Sequence, residues 1–245
     1  MSIRLKTIFI MIAAVLAVGY VLVMGVMSNR TENESVRCHA VECRFNDSVR
    51  YRYISAGQVR KYLHQTGCYP VGKTLDDICL QVIEDTLLAH PIIASANCYM
   101  GADGTMYAEL TQRQPIAHVV TGHEDYFVAT DRKPMPTWST VKDSVLQVRG
   151  NLTHEQTCGE VADFAEWLLA NSTWRSRIEY LSFRKPHFYT LRIIGDTTQY
   201  ILGDLNNYAV QLQRLLVYES QRSKLPQKEY GQIDLRFDNQ VVTRP

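Results

Sequence analysis

The sequence has almost no net charge and no cluster of basic residues. Lysine and arginine number 26 against 25 aspartates and glutamates, which gives a net charge of +1. A nucleic-acid-binding domain normally carries a basic face. The charge pattern therefore argues against a nucleic-acid partner. Low-complexity tracts and repeats of fixed period are absent as well, and the chain is long enough for one large or two small globular domains.

The motifs that commonly mark catalytic sites are also missing. There is no G-x-S-x-G elbow, no phosphate-binding loop, no dinucleotide fingerprint and no H-E-x-x-H zinc motif. His123-Glu124 and His154-Glu155 lack a second ligand at the required spacing. We therefore expect no catalytic site, no cofactor and no metal, and we predict that the protein is not an enzyme.

Cysteine pairs at short spacing are lacking too, although the chain has six cysteines: Cys38, Cys43, Cys68, Cys79, Cys98 and Cys158. No C-x-x-C pair occurs, and Cys38-His39 with Cys43 does not have zinc-site spacing. The cysteines fit an oxidising compartment. Two states stay open at this point: buried free thiols, or one or two disulfides whose pairing the sequence does not specify.

Only one long apolar run is present, Ile8 to Met27, and it contains no charged residue. As a helix it would be roughly 30 Å long, the thickness of the hydrocarbon core of a bilayer. Arg4 and Lys6 precede it, and basic residues favour the cytoplasmic side. The pattern predicts a transmembrane helix that leaves the rest of the chain outside the cytoplasm. A cleaved signal peptide is the alternative, but its apolar core would be shorter.

The remaining residues predict two α+β units. The first reads strand, helix, helix, strand, strand, at residues 36–45, 55–66, 74–89, 92–100 and 105–113. The second has strands at 118–121, 126–129, 145–149, 178–184, 188–194 and 200–202, helices at 153–170 and 204–221, and alternating segments at 233–237 and 240–243. It ends in a strand that no later helix covers.

Glycosylation sequons suggest a different class of protein. Asn-x-Ser/Thr occurs at positions that include Asn33, Asn46, Asn151 and Asn171. In a eukaryotic secretory pathway these asparagines would be glycan acceptors on a surface. A glycosylated type II membrane protein is therefore one alternative.

Read in order, five segments resemble the bacterial cell-division family FtsQ, also called DivIB. Three of them, residues 53–59, 90–96 and 110–117, are similar to motifs of its POTRA domain, with Gln112 where glutamate is usual. Two more, residues 200–203 and 233–239, are similar to motifs of its C-terminal β-domain, with Phe237 for tyrosine and Gln240 for glycine.

The resemblance implies a non-catalytic scaffold that links early and late division proteins at the septum. It implies FtsB-like and FtsL-like coiled-coil partners, with septal peptidoglycan synthase components as further expected partners. One partner adds a strand to the exposed last strand of the β-domain, a mode that agrees with the uncovered terminal edge. The contact positions carried over from the family are Phe237, Asn239, Gln240, Val241 and Val242. For Phe237, a place in the core is an equal alternative.

The sequence therefore predicts a cytoplasmic head (1–7), a transmembrane helix (8–27), a linker (28–35), a POTRA domain (36–117) and an FtsQ-type β-domain (118–245). The expected location is the inner membrane, with the bulk of the chain in the periplasm and enriched at the septum. Residues 92–100 are a further candidate recruitment surface. A POTRA-bearing scaffold of another envelope assembly system is the second alternative.

Overall fold

The computed structural model describes residues 13–24, 37–46, 52–137, 145–185, 188–222 and 230–245. Residues 13–24 form a helix, α1. Among the described residues, no helix combines the length and apolarity needed to cross a membrane. The predicted head, the linker and both ends of the predicted transmembrane helix lie outside the described residues, so these predictions stay predictions.

The described residues group into two compact units. One is drawn from residues 1–44, 56–86 and 97–109, and the other from residues 45–55, 87–96 and 110–245. The N-terminal elements follow the predicted β-α-α-β-β order and make a three-stranded sheet in the order β1-β3-β2. They are β1 (Ala40–Phe45), α2 (Ala56–Gln65), α3 (Leu80–Leu88), β2 (Ile93–Met100) and β3 (Thr105–Gln112).

The second of these helices begins later than the sequence predicts. The spacing of apolar residues predicts one helix from Thr74, but Leu75–Asp77 forms a short 3-10 helix and α3 starts only at Leu80. The Thr74 hydroxyl donates to the Asp77 carboxylate (2.5 Å) and accepts no backbone N–H. Thr74 and Asp77 have the spacing of a capping box, but their two side chains bond to each other rather than to the backbone.

Gln112, the departure from the family pattern at the end of β3, lies in the core and is 2% exposed. Its Oε1 accepts the backbone N–H groups of Tyr53 (2.7 Å) and Ile54 (3.2 Å). A carboxylate oxygen would accept the same two bonds. Glutamine is thus compatible with this position because its carbonyl oxygen satisfies the same donors.

The C-terminal elements build a nine-stranded mixed sheet in the order β12-β11-β10-β9-β8-β7-β4-β5-β6. Its strands are β4 (Pro115–Val120), β5 (Asp125–Ala129), β6 (Pro134–Met135), β7 (Leu146–Arg149), β8 (Ile178–Lys185), β9 (Phe188–Ile193), β10 (Gln199–Gly203), β11 (Gln232–Asp234) and β12 (Val242–Arg244). Three neighbouring pairs run parallel: β4 with β7, β7 with β8, and β10 with β11. The sequence predicts most of these strands but not β6 or the parallel pairs.

Within the described residues, four helices accompany this sheet: α4 (His154–Cys158), α5 (Glu160–Ala170), α6 (Ser172–Arg175) and α7 (Tyr208–Gln221). The single helix predicted from Thr153 is interrupted at Gly159, although the Thr153 and Gln156 side chains do form a capping box. Helix α7 starts four residues after Asp204, where the predicted helix begins, and the Asp204 carboxylate accepts the N–H of Asn206 (3.3 Å) in a turn. The helices bury apolar side chains in one core with the sheet, among them Phe164, Leu212 and Leu215.

Candidate functional site

The last strand, β12, lies at one end of the nine-stranded sheet. It pairs with β11 alone, antiparallel, with Gln232 opposite Arg244, Ile233 opposite Thr243, and Asp234 opposite Val242. The sequence predicts this final strand at residues 240–243, and the structure places it at Val242–Arg244. Among the described residues, no strand pairs with the outer side of β12.

The direction of the backbone groups on β12 follows from the hydrogen bonds of β11. Gly231 accepts the N–H of Gln199 (3.0 Å), and Leu235 donates to Ile201 (2.9 Å), so the odd-numbered residues of this segment face β10. Successive residues of a strand direct their N–H and C=O groups to opposite sides. The even-numbered residues of β11 therefore bond to β12.

Their partners on β12 are Val242 and Arg244, so these two residues direct their backbone N–H and C=O groups toward β11. Thr243, between them, directs its N–H and C=O to the outer side of the sheet. Such outward groups at the end of a sheet are the elements that a chain added as a strand would bond. Thr243 is absent from the five predicted contact positions, because the sequence does not reveal which residues of this short strand face β11.

Phe237 is not a core residue. The alternation of Ile233, Leu235 and Phe237 allows burial on one face, but β11 ends at Asp234 and the Phe237 side chain is 40% exposed. The Asp234 carboxylate accepts the backbone N–H of Arg236 (3.2 Å) and turns the chain out of the strand. The core alternative for Phe237 is therefore wrong, and its role as a partner contact stays a prediction.

Asp234 is fully buried and is neutralised by arginine. The Arg236 side chain donates to both of its carboxylate oxygens (2.9 and 2.7 Å), and the Arg244 guanidinium lies 3.7 Å away. The hydrogen bonds from Arg236 hold the pKa of the Asp234 carboxyl below its usual value, against the opposing effect of burial. This pairing connects the end of β11 to the last strand.

A tight turn precedes β12. Asn239 has a φ of 59°, the left-handed conformation, which asparagine adopts more readily than most residues. Gln240 stands where the family has glycine, but its φ is not positive. The turn is made one position earlier, so the chain does not require glycine at position 240.

The remaining predicted contacts lie at the start of the last strand. Asn239 and Gln240 are exposed, while Val241 and Val242 are half-buried. Val241 packs against the core cluster, and Val242 is the strand partner of Asp234. The structure thus brings all five predicted residues into one segment beside the outer strand. That they contact a partner stays a prediction.

Comparison with protein-family models identifies both parts of the chain. A POTRA-like domain model matches residues 36–111. The model described as FtsQ/DivIB, C-terminal related, matches residues 114–244, which is more than half of the chain. The chain belongs to the FtsQ/DivIB family. A comparison with curated proteins finds no match.

The FtsQ/DivIB assignment agrees with the mixed α+β fold and with the β-α-α-β-β order of the POTRA-like region. Both domain types belong to families of non-enzymatic scaffolds, and the family is one of cell-division proteins. The membrane anchor, the individual partners, the contact residues and the domain boundaries at 117 and 118 stay predictions.

The six cysteines of this FtsQ/DivIB-family chain are all unpaired in the structure, which favours free thiols over the disulfide alternative. Cys38 and Cys98 are buried, and Cys79 is exposed. Within the described ranges, no group of three or more potential metal ligands occurs.

Proposed function

We propose that this protein is a non-catalytic divisome scaffold that links early and late cell-division proteins at the septum. In this proposal the β-domain binds FtsB-like and FtsL-like coiled-coil proteins, and one of them adds a strand to the outer side of β12. The observation that carries the proposal is the outward direction of the Thr243 backbone N–H and C=O at the end of the sheet. Family membership supports the division role.

The open edge and the exposed side chains beside it support strand addition. Backbone groups supply the affinity of such a complex, and neighbouring side chains supply its specificity. Phe237, Asn239 and Gln240 are exposed directly before β12. An exposed phenylalanine beside an open strand is a suitable anchor for an apolar side chain of the added strand.

Anchoring is the second part of the proposal. The apolar stretch from Ile8 to Met27, behind Arg4 and Lys6, would place the two domains in the periplasm of a single-pass inner-membrane protein. Imaging a fluorescent fusion in dividing cells tests this part. A band at midcell is expected. Uniform membrane staining would instead favour a scaffold of another envelope assembly system or a glycosylated type II protein.

The strand-addition mechanism is tested by Thr243→Pro, with Thr243→Ala as the matched control. Proline removes the outward N–H of residue 243, and edge strands accept proline where the N–H faces solvent. We expect the proline variant to fold and to lose co-purification of the FtsB-like protein of the same cell, while the alanine variant retains it. If both variants retain the partner equally, strand addition at β12 is wrong.

A second pair of variants separates loss of binding from loss of folding. Val242→Pro places proline at a residue that bonds to β11, so we expect it to lower the melting temperature more than Thr243→Pro does. Truncation after Tyr230 removes both β11 and β12 and should abolish the complex. Survival of the complex after this truncation would contradict a docking site on the terminal strand.

A further inference from the structure

Arg214, on helix α7, contacts the segment that leads into the outer strand. Its Nη1 donates to the carbonyl oxygen of Phe237 and lies 3.5 Å from those of Leu235 and Gln240. One guanidinium group on the helix therefore contacts carbonyl oxygens at both ends of the loop between β11 and β12.

The helix that carries Arg214 is firmly held. Leu212 and Leu215, its near neighbours, are fully buried in the core. Gln211, one turn earlier, donates through Nε2 to the carbonyl of Leu202 in β10 (3.0 Å). The backbone of α7 is thus fixed against the sheet, so the guanidinium extends from a rigid base.

The loop that it contacts has little burial of its own. The side chains of residues 236–240 are all exposed, so apolar packing contributes little to holding their backbone in place. A hydrogen bond from a charged donor to a carbonyl is stronger than one between neutral groups. On the side of the loop that faces α7, Arg214 therefore restrains the loop backbone, which burial alone does not hold in place.

We propose that Arg214 is a positioning residue for residues 236–240, the exposed loop beside the proposed docking strand β12. This proposal rests in part on the proposed function. The guanidinium holds the backbone of Phe237 and Gln240 in place before a partner strand arrives. A loop that is already ordered before the partner binds loses less conformational entropy on binding. Arg214 acts through the loop: its donors face the carbonyls of its own chain, and the loop side chains face outward.

The test uses Arg214→Gln, Arg214→Lys and, as the matched control on the same helix, Gln213→Ala, whose side chain is exposed. Hydrogen exchange of the backbone amides is measured on the chain alone. We expect Arg214→Gln to accelerate exchange in residues 236–242 by about tenfold and to leave β8 and β9 unchanged. Lysine should restore part of the protection, and the control should behave as the wild type.

Two exchange results would overturn the proposal. Unchanged exchange in residues 236–242 would show that Arg214 does not order the loop. Equal acceleration across the whole sheet would assign Arg214 a role in global stability rather than in positioning. Both results are obtained without a partner and therefore do not depend on the proposed function.

Binding provides the second measurement. With the FtsB-like protein of the same cell as the probe, Arg214→Gln should weaken binding by about tenfold, with partial rescue by lysine. If Arg214→Gln binds the probe as tightly as the wild type does, the role of Arg214 in docking is refuted. Absence of binding by the wild-type chain would refute the proposed function and, with it, the docking role, whereas the exchange data would still decide whether Arg214 orders the loop.

Discussion

Asp234 and Arg236 form a two-bond ion pair across the end of a strand, with the carboxylate fully buried and the guanidinium partly exposed. The pair ends β11, and Arg244 of β12 lies close to the same carboxylate. Because it borders the proposed docking strand, a change at Asp234 should affect the terminal segment before the rest of the sheet.

Acid should weaken the fold partly through this carboxyl group. Its pKa is lower in the folded state, chiefly because of the hydrogen bonds from Arg236. The resulting stabilisation is present above the unfolded-state pKa, about 3.9, and is lost as the pH falls through the lower folded-state pKa. Urea unfolding between pH 7 and pH 3 should show a steeper loss of unfolding free energy for the wild type than for Asp234→Asn.

Asp103 and Asp196 also have lowered pKa values, so the wild type alone does not isolate Asp234. The difference between wild type and Asp234→Asn is the decisive quantity. Parallel pH profiles for the two proteins would show that Asp234 contributes no pH-dependent stability.

Gly203, at the end of β10, makes room for Arg236. A Cβ atom there would lie 2.8 Å from Cδ and 2.9 Å from Cγ of Arg236, and the φ of Gly203 is 79°. Gly195 is a matched control, because its φ is 76° but a Cβ atom would meet nothing within 4 Å. Gly195→Ala should cost about 1–2 kcal/mol through its backbone conformation alone.

Gly203→Ala should cost more than Gly195→Ala, by about 1–3 kcal/mol, since Arg236 must move away from Asp234. The comparison requires only equilibrium unfolding of the two variants. Equal losses would mean that Arg236 moves without giving up its bonds to Asp234.

The limits of the sequence are clearest in this same segment. Alternation identifies an extended piece near Ile233, but it does not show that the Asp234 side chain ends the strand, so Phe237 stays ambiguous. The outward groups of Thr243 depend on the register between β11 and β12, which arises from long-range pairing. Likewise, the parallel pairing of β4 with β7 joins segments that are separated in the chain by β5 and β6, and no local pattern encodes it.

What the sequence does reveal are features with a local physical cause. The start of a helix at Thr153 is a feature of this kind, and the structure places the N-cap of α4 at this residue. The order of elements from β1 to β3 follows from periodicity and breakers, and it is confirmed. Arg214 carries no such signal, because an arginine on an amphipathic helix usually has only solvent beside it.

Gln112 should be replaceable by glutamate but not by leucine. Gln112→Leu leaves the N–H groups of Tyr53 and Ile54 without their acceptor, at a cost of roughly 1–3 kcal/mol for each buried donor. Gln112→Glu keeps an acceptor oxygen, so we expect a markedly smaller loss of unfolding free energy. Equal losses for the two variants would show that the shape of the site, rather than its hydrogen bonds, determines the residue.

The cysteines should differ in reactivity, and buried Cys98 and exposed Cys79 are a suitable pair to compare. Burial raises the pKa of the Cys98 thiol to about 12, with Glu84 adding to the effect. Only the thiolate is nucleophilic, so the Cys98 thiol should react slowly in the folded chain. Cys79 is exposed, and iodoacetamide should therefore modify it long before Cys98.

Mass spectrometry of peptides after timed alkylation measures both rates, and the same reaction in denaturant supplies the control in which the two thiols should react alike. Comparable rates in the folded chain would contradict the buried placement of Cys98. A cysteine that stays unmodified even in denaturant, until a reductant is added, would reveal a disulfide and contradict the free state of all six thiols.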